Sequence, residues 1–98
     1  MELKDIKKVL ILGAGTMGHG IAQAAVQAGF DAVLYDVSAE FVEKGAARIQ
    51  KSLAKRVAKG KMAEDEMKTI LGRLKTSTDL AEAVKDADFV IEAVPENL

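Results

Sequence analysis

The first strong pattern in the chain is Val9-Leu10-Ile11-Leu12, an apolar run that does not alternate with polar residues. Such a run suits a strand covered on both faces, as in a parallel sheet. Beyond Gly15 the period lengthens. Ile21, Ala25 and Ala28 share one helical face, with Gly18, Ala22 and Ala25 beside them, while His19, Gln23 and Gln27 form a polar face at i, i+4 spacing. Gly29 stops this helix. DAVLYDV, residues 31–37, reads as a second strand. Strand, helix and strand within about 30 residues make a βαβ unit.

A long helix is predicted over 39–59, capped by Ser38, with Val42, Ala46, Ile49, Leu53 and Val57 as its apolar stripe and Gly60 at its carboxyl end. A second helix follows over 64–71. Glu64, Asp65 and Glu66 occupy its first turn, where the helix dipole favours acids. The pair forms a helical hairpin longer than a plain crossover needs. RLKTST is a weak strand candidate, and TDLAEAV is a short helix with Asp79 and Glu82 placed as a variant capping box. DFVIEAV, 88–94, reads as another buried strand, ended by Pro95. The predicted class is α/β, the front part of a doubly wound parallel sheet with a helical-hairpin insertion after strand 2. The strand edge at 89–94 would be unpaired unless something covers it, so a homo-oligomer formed through that edge is expected.

Composition narrows the function classes. Ninety-eight residues make one small domain or part of a larger one, and 49% hydrophobic with 30% charged residues supports a packed core. A net charge of −1 argues against a general nucleic-acid binder. With no cysteine and one histidine, neither a disulfide nor a thiolate or histidine-rich metal site is expected. MELKDIKKV resembles no targeting peptide, and no apolar run approaches the roughly 18 residues that span a bilayer. A soluble, cytoplasmic protein is the expectation.

The chemistry sits in ILGAGTMGHG. Gly13, Gly15 and Gly18 are spaced G-x-G-x-x-G between a buried strand and a helix of small residues. Gly13 permits the sharp turn. A side chain at Gly15 would hold a pyrophosphate away from the helix amino terminus, whose free N–H groups and dipole bind anions. Gly18 lets helix and strand pack closely. Asp36 ends the second strand 21 residues beyond Gly15, against an expected spacing of about 20 for the acid that accepts from the adenosine ribose. No Arg or Lys follows within seven residues to offset its repulsion of a 2′-phosphate, so NAD is expected over NADP. Glycines that only make a turn, with Asp36 only ending a strand, are the plainer alternative.

Other candidates have competing readings. Seven basic residues and no acid lie between Lys44 and Lys61. They are either a landing strip for a phosphorylated substrate or a solvated helix face. His19 lies in the helix's first turn, beside the cofactor phosphates rather than the nicotinamide, and reads as a polar surface residue instead of a catalytic one. Glu96 lies just past the last strand, where ligands bind in open parallel sheets, and Glu92 less clearly so.

Three segments, ILGAGTMGHGIAQ, YDVSAEFVEKGAARIQKSLAKRVAKGKM and TSTDLAEAVKDADFVIEAVPENL, together resemble the 3-hydroxyacyl-CoA dehydrogenase family, most closely its bacterial 3-hydroxybutyryl-CoA branch. The resemblance covers nearly the whole chain. It implies a Rossmann-like fold and NAD-dependent interconversion of 3-hydroxyacyl-CoA and 3-oxoacyl-CoA. It implies that Gly13, Gly15, Thr16, Met17 and Gly18 hold the pyrophosphate and Asp36 the ribose. Ala93 and Val94 would line the cofactor groove, with Glu96 near the nicotinamide ribose. Ser52 and Lys59 match a serine and lysine that touch coenzyme A. In the family the base is a histidine, oriented by a glutamate, in a segment resembling HFFNP. That segment does not occur here, and His19 does not match it. Ala63 stands where a serine cap is usual. These residues are therefore expected to hold cofactor and acyl-CoA without turning substrate over alone. A stand-alone dinucleotide-binding or redox-sensing module is the alternative, and the hairpin with Ser52 and Lys59 argues against it.

Overall fold

The structure, a computed structural model, describes residues 6–93. Four parallel strands, β1 (Lys8–Leu12), β2 (Asp31–Tyr35), β3 (Leu74–Ser77) and β4 (Phe89–Glu92), form one sheet in the order β3-β2-β1-β4. The helices are α1 (Thr16–Gln27), α2 (Ala39–Ala58), α3 (Glu64–Leu71) and α4 (Leu80–Val84). Pairing is in step: Leu12 lies opposite Tyr35 on one side and Glu92 on the other. The chain runs outward from β1 to β3 and then returns to β1's far side. The strand order therefore reverses between β1 and β4, where open α/β sheets bind ligands at the strands' carboxyl ends.

Strand periodicity sorts the apolar run onto two faces. Val9, Ile11, Ala32 and Leu34 face a core built with Ala22 and Val26 of α1, Val42, Ile49 and Leu53 of α2, and Ile70 of α3. Leu10 and Val33 point the other way, onto Ala83 of α4. Val9, Leu10 and Ile11 are all buried, as a non-alternating run requires.

The helix boundaries follow local chemistry. The Ser38 hydroxyl accepts from the Phe41 N–H at 3.3 Å to cap α2, and Gly60 takes φ +73° just past its end. Asp79 caps α4 by accepting from the Glu82 N–H. The reciprocal half of the capping box is replaced, because the Asp79 N–H donates to the Ser77 hydroxyl instead. Ala63 provides no side-chain cap to α3, whose first turn holds three acids.

Two expectations need correction. Ala28 is exposed because it is the carboxyl cap of α1, beyond the last helical residue, and Val26 takes the buried place. The last strand is not buried: Phe89 and Val90 are each 49% exposed. β4 is the sheet's edge among the described residues, and α4 covers β1 and β2 rather than β4.

Candidate dinucleotide-binding site

The three glycines serve three different physical ends. Gly13 adopts φ +104°, a left-handed conformation that strains any L side chain, and its N–H donates to the Tyr35 carbonyl at 2.7 Å. A Cβ at Gly18 would meet the Gly13 carbonyl oxygen at 1.6 Å, so this glycine lets the first turn of α1 close onto the end of β1. Gly15 is held by neither constraint. Its φ is −72°, and a Cβ there would meet nothing within 4 Å. The fold itself leaves the space above Gly15 open, as a ligand approaching the backbone requires.

The start of α1 is electrostatically unfinished. Ser38 and Asp79 cap α2 and α4, and α3 carries Glu64, Asp65 and Glu66 in its first turn. Among the helices of the described residues, α1 alone has neither a side-chain cap nor an acid in its first turn. Its first N–H groups and the positive end of its dipole thus suit an external anion. This is the fit expected for a pyrophosphate, with Gly15 as the amino-terminal cap and Thr16 as the first helical residue. Met17 is 67% exposed beside it.

Asp36 stands one residue past β2, half-buried. Its Oδ2 accepts from the Ala14 N–H and its Oδ1 from the Ser38 N–H, each at 3.0 Å. Each oxygen keeps a lone pair for a further donor. Beside it a cleft of about 300 Å³ runs over the carboxyl ends of the strands, bordered by Leu12, Gly13, Tyr35, Val37, Leu80 and Glu92. Its walls are mainly apolar with the Asp36 and Glu92 carboxylates at the edge, which suits a nucleoside whose base stacks on carbon and whose sugar donates hydroxyls. A second recess of about 210 Å³ separates the glycine turn from α2 and is bordered by Gly15, Phe41, Lys44 and Arg48. The helix's 3.6-residue period therefore brings two of the seven basic residues to the anion-binding turn, a juxtaposition the reading of a single cationic strip missed.

The remaining candidates scatter. The Ser52 hydroxyl accepts from the Gln23 amide at 2.9 Å, half-buried between α1 and α2. Lys59 is exposed at the carboxyl cap of α2, two turns along. The polar face of α1 thus meets α2 at Gln23. His19 Nδ1 lies 3.0 Å from the Gly15 carbonyl oxygen, a pairing that needs the proton on Nδ1, so the ring turns back onto its own helix. Ala93 is buried, and its N–H donates to the Leu12 carbonyl at 2.8 Å. Val94 and Glu96 lie outside the described residues. Among the described residues no cluster of three metal-ligating side chains occurs, and no helix is long and apolar enough to cross a membrane.

Comparison with known proteins agrees with this geometry. Residues 8–98 match the family model described as 3-hydroxyacyl-CoA dehydrogenase, NAD binding domain. A probable 3-hydroxybutyryl-CoA dehydrogenase of Bacillus subtilis is 47% identical over 94 residues, covering 96% of this chain and 32% of that protein. The peroxisomal fatty acid beta-oxidation multifunctional protein MFP2 of Arabidopsis thaliana is 41% identical over 95 residues, 97% of this chain and 13% of that protein. The crystal structure of (S)-3-hydroxybutyryl-CoA dehydrogenase from Ralstonia eutropha superposes with a TM-score of 0.89 at 43% identity, covering 95% of this chain and 32% of that one. The chain thus spans about a third of the length of its bacterial relatives. With the fold, the glycine turn and the family match in agreement, the chain belongs to the NAD-binding domain family of the 3-hydroxyacyl-CoA dehydrogenases.

Proposed function

We propose that this chain is the NAD-holding part of an oxidoreductase that interconverts 3-hydroxyacyl-CoA and 3-oxoacyl-CoA. The observation that carries the reading is the uncapped amino terminus of α1 beneath open space at Gly15, with the Asp36 carboxylate beside it. When bound, the nicotinamide accepts or supplies the hydride. The chain's residues bind and orient. The N–H groups around Gly15, Thr16, Met17 and Gly18 hold the pyrophosphate, and Arg48 adds positive charge across the recess, beside Lys44, whose ammonium is paired with Glu40 at 2.8 Å. Asp36 accepts from the ribose hydroxyls and repels a 2′-phosphate, which selects NAD over NADP. Ala93, Val94 and Glu96 complete the groove towards the nicotinamide.

Ser52 and Lys59 belong to the same proposal as contacts for coenzyme A. The exposed cations Lys55, Lys59 and Lys61 supply the charge that phosphates require. No described residue is proposed as the proton acceptor, since His19 is turned onto Gly15. These 98 residues are therefore proposed to bind without catalysing. A cytoplasmic location is part of the proposal, as is self-pairing of the chain through the β4 edge, which the exposure of Phe89 and Val90 supports. A strictly monomeric mass by light scattering at high concentration would remove the self-pairing.

Calorimetric titration with NADH and NADPH tests the central reading. NADH should bind and NADPH much more weakly. Equal affinities, or a folded chain indifferent to both, would overturn it.

A further inference from the structure

We propose that Asp36 is a positioning residue for the phosphate-binding turn, in addition to any contact it makes with a ribose. Ala14 sits between the two glycines of the turn and is only 4% exposed. Its N–H has the Asp36 Oδ2 as its partner at 3.0 Å. A buried N–H left without a partner is costly, so the carboxylate settles which way this peptide faces. The bond lies one residue before Gly15, the point where a phosphate would approach. Together with the bond from the Gly13 N–H to the Tyr35 carbonyl, it stitches a glycine-rich and otherwise pliable segment to the end of β2. The same carboxylate accepts from the N–H of Ser38, the residue that caps α2. One side chain thus ties the turn, β2 and the start of α2 together. A turn held in this way meets its anion already ordered, which spares the ligand the entropy of arranging it.

The idea rests on the reading of the turn as a phosphate site, and its test separates the two. Simple electrostatics predicts that deleting a carboxylate near an anion site strengthens anion binding. Positioning predicts the reverse. The experiment titrates inorganic pyrophosphate, which has no ribose, into the wild-type chain and into the Asp36→Asn and Asp36→Ala variants. Amide hydrogen exchange at Ala14 is read against amides in β1, which report global stability. Asp36→Asn keeps one oxygen acceptor and serves if Asp36→Ala folds poorly. The expected result is weaker pyrophosphate binding in the order wild type, Asn, Ala, by about tenfold for Ala, the size of one charge-assisted hydrogen bond. Ala14 exchange should accelerate beyond that of β1. Either variant binding pyrophosphate as tightly as the wild type overturns the proposal, and so does unchanged Ala14 exchange. If the wild type ignores pyrophosphate, the phosphate reading and the positioning role fail together, and Ala14 exchange then shows only whether the latch exists.

Discussion

The carbonyl oxygen of Gly13 occupies the space where a side chain at Gly18 would begin, 1.6 Å from an ideal Cβ. Both partners are backbone, so neither can swing aside. Gly18→Ala should therefore destabilise the domain by about 3 kcal/mol or more, beyond the usual cost of overpacking because β1 and α1 must separate. Gly20, two residues on in the same helix, meets nothing within 4 Å, so Gly20→Ala should stabilise by up to about 1 kcal/mol through helix propensity. Chemical denaturation of the two variants checks the contrast, and similar effects at both positions would contradict it.

Gly15 provides the opposite dissociation. With φ at −72° and open space around its Cβ, Gly15→Ala should leave the unliganded stability within about 0.5 kcal/mol of wild type. NADH affinity should fall by more than about tenfold, because the new methyl stands where the pyrophosphate would lie. A thermal melt paired with an NADH titration reads both quantities, and intact affinity would show that the ligand lies elsewhere.

Ser52 and Lys59 should differ although the family resemblance pairs them. Ser52→Ala leaves the half-buried Gln23 amide without its acceptor and should cost about 1 kcal/mol. Lys59→Ala, at an exposed cap, should stay within about 0.5 kcal/mol of wild type. Both should weaken coenzyme A binding, and only Lys59→Ala should do so without lowering the melting temperature. A melt for each variant and a titration with acetoacetyl-CoA decide this.

Acid should weaken a tie at the other end of the sheet. Asp88 Oδ2 accepts from the N–H groups of Lys7 and Lys8 at 2.9 and 3.0 Å. Those bonds, first Lys7 and then Lys8, hold its carboxyl below the ordinary value of 3.8. A lowered carboxyl pKa stabilises the fold above the unfolded value, and that contribution disappears as pH falls through the folded one. Asp88→Asn should therefore melt below wild type at neutral pH, with the gap closing at pH values under 3.8. A gap that persists in strong acid would show that ionisation of the carboxylate is not its source.

Much of the architecture was legible because its causes are local. Non-alternating β1, the 3.6-residue stripe of α2, the Ser38 cap and Gly60 past its end each declare themselves within a few residues. One misreading has a local reason: Ala28 and Val26 are two residues apart, and α1 ends at Gln27 and leaves Ala28 as the carboxyl cap. The other arose where distant packing decides. Phe89 and Val90 are as apolar as residues of β1, yet burial depends on a strand's place in the sheet.

The sequence by itself determined the glycine turn and the acid at the end of β2, because G-x-G-x-x-G between strand and helix answers to backbone sterics that act over a handful of residues. The family was legible only from the resemblance of the three long segments that span nearly the whole chain. Tertiary structure alone decided that the Asp36 carboxylate grips Ala14, that Gln23 occupies Ser52 and that Lys44 and Arg48 face Gly15. These are contacts between elements. Their geometry depends on how β2 and α2 settle against α1, and hydrophobic burial, which drives that packing, is non-directional: the apolar stripes mark which faces are buried but not which polar atoms then meet.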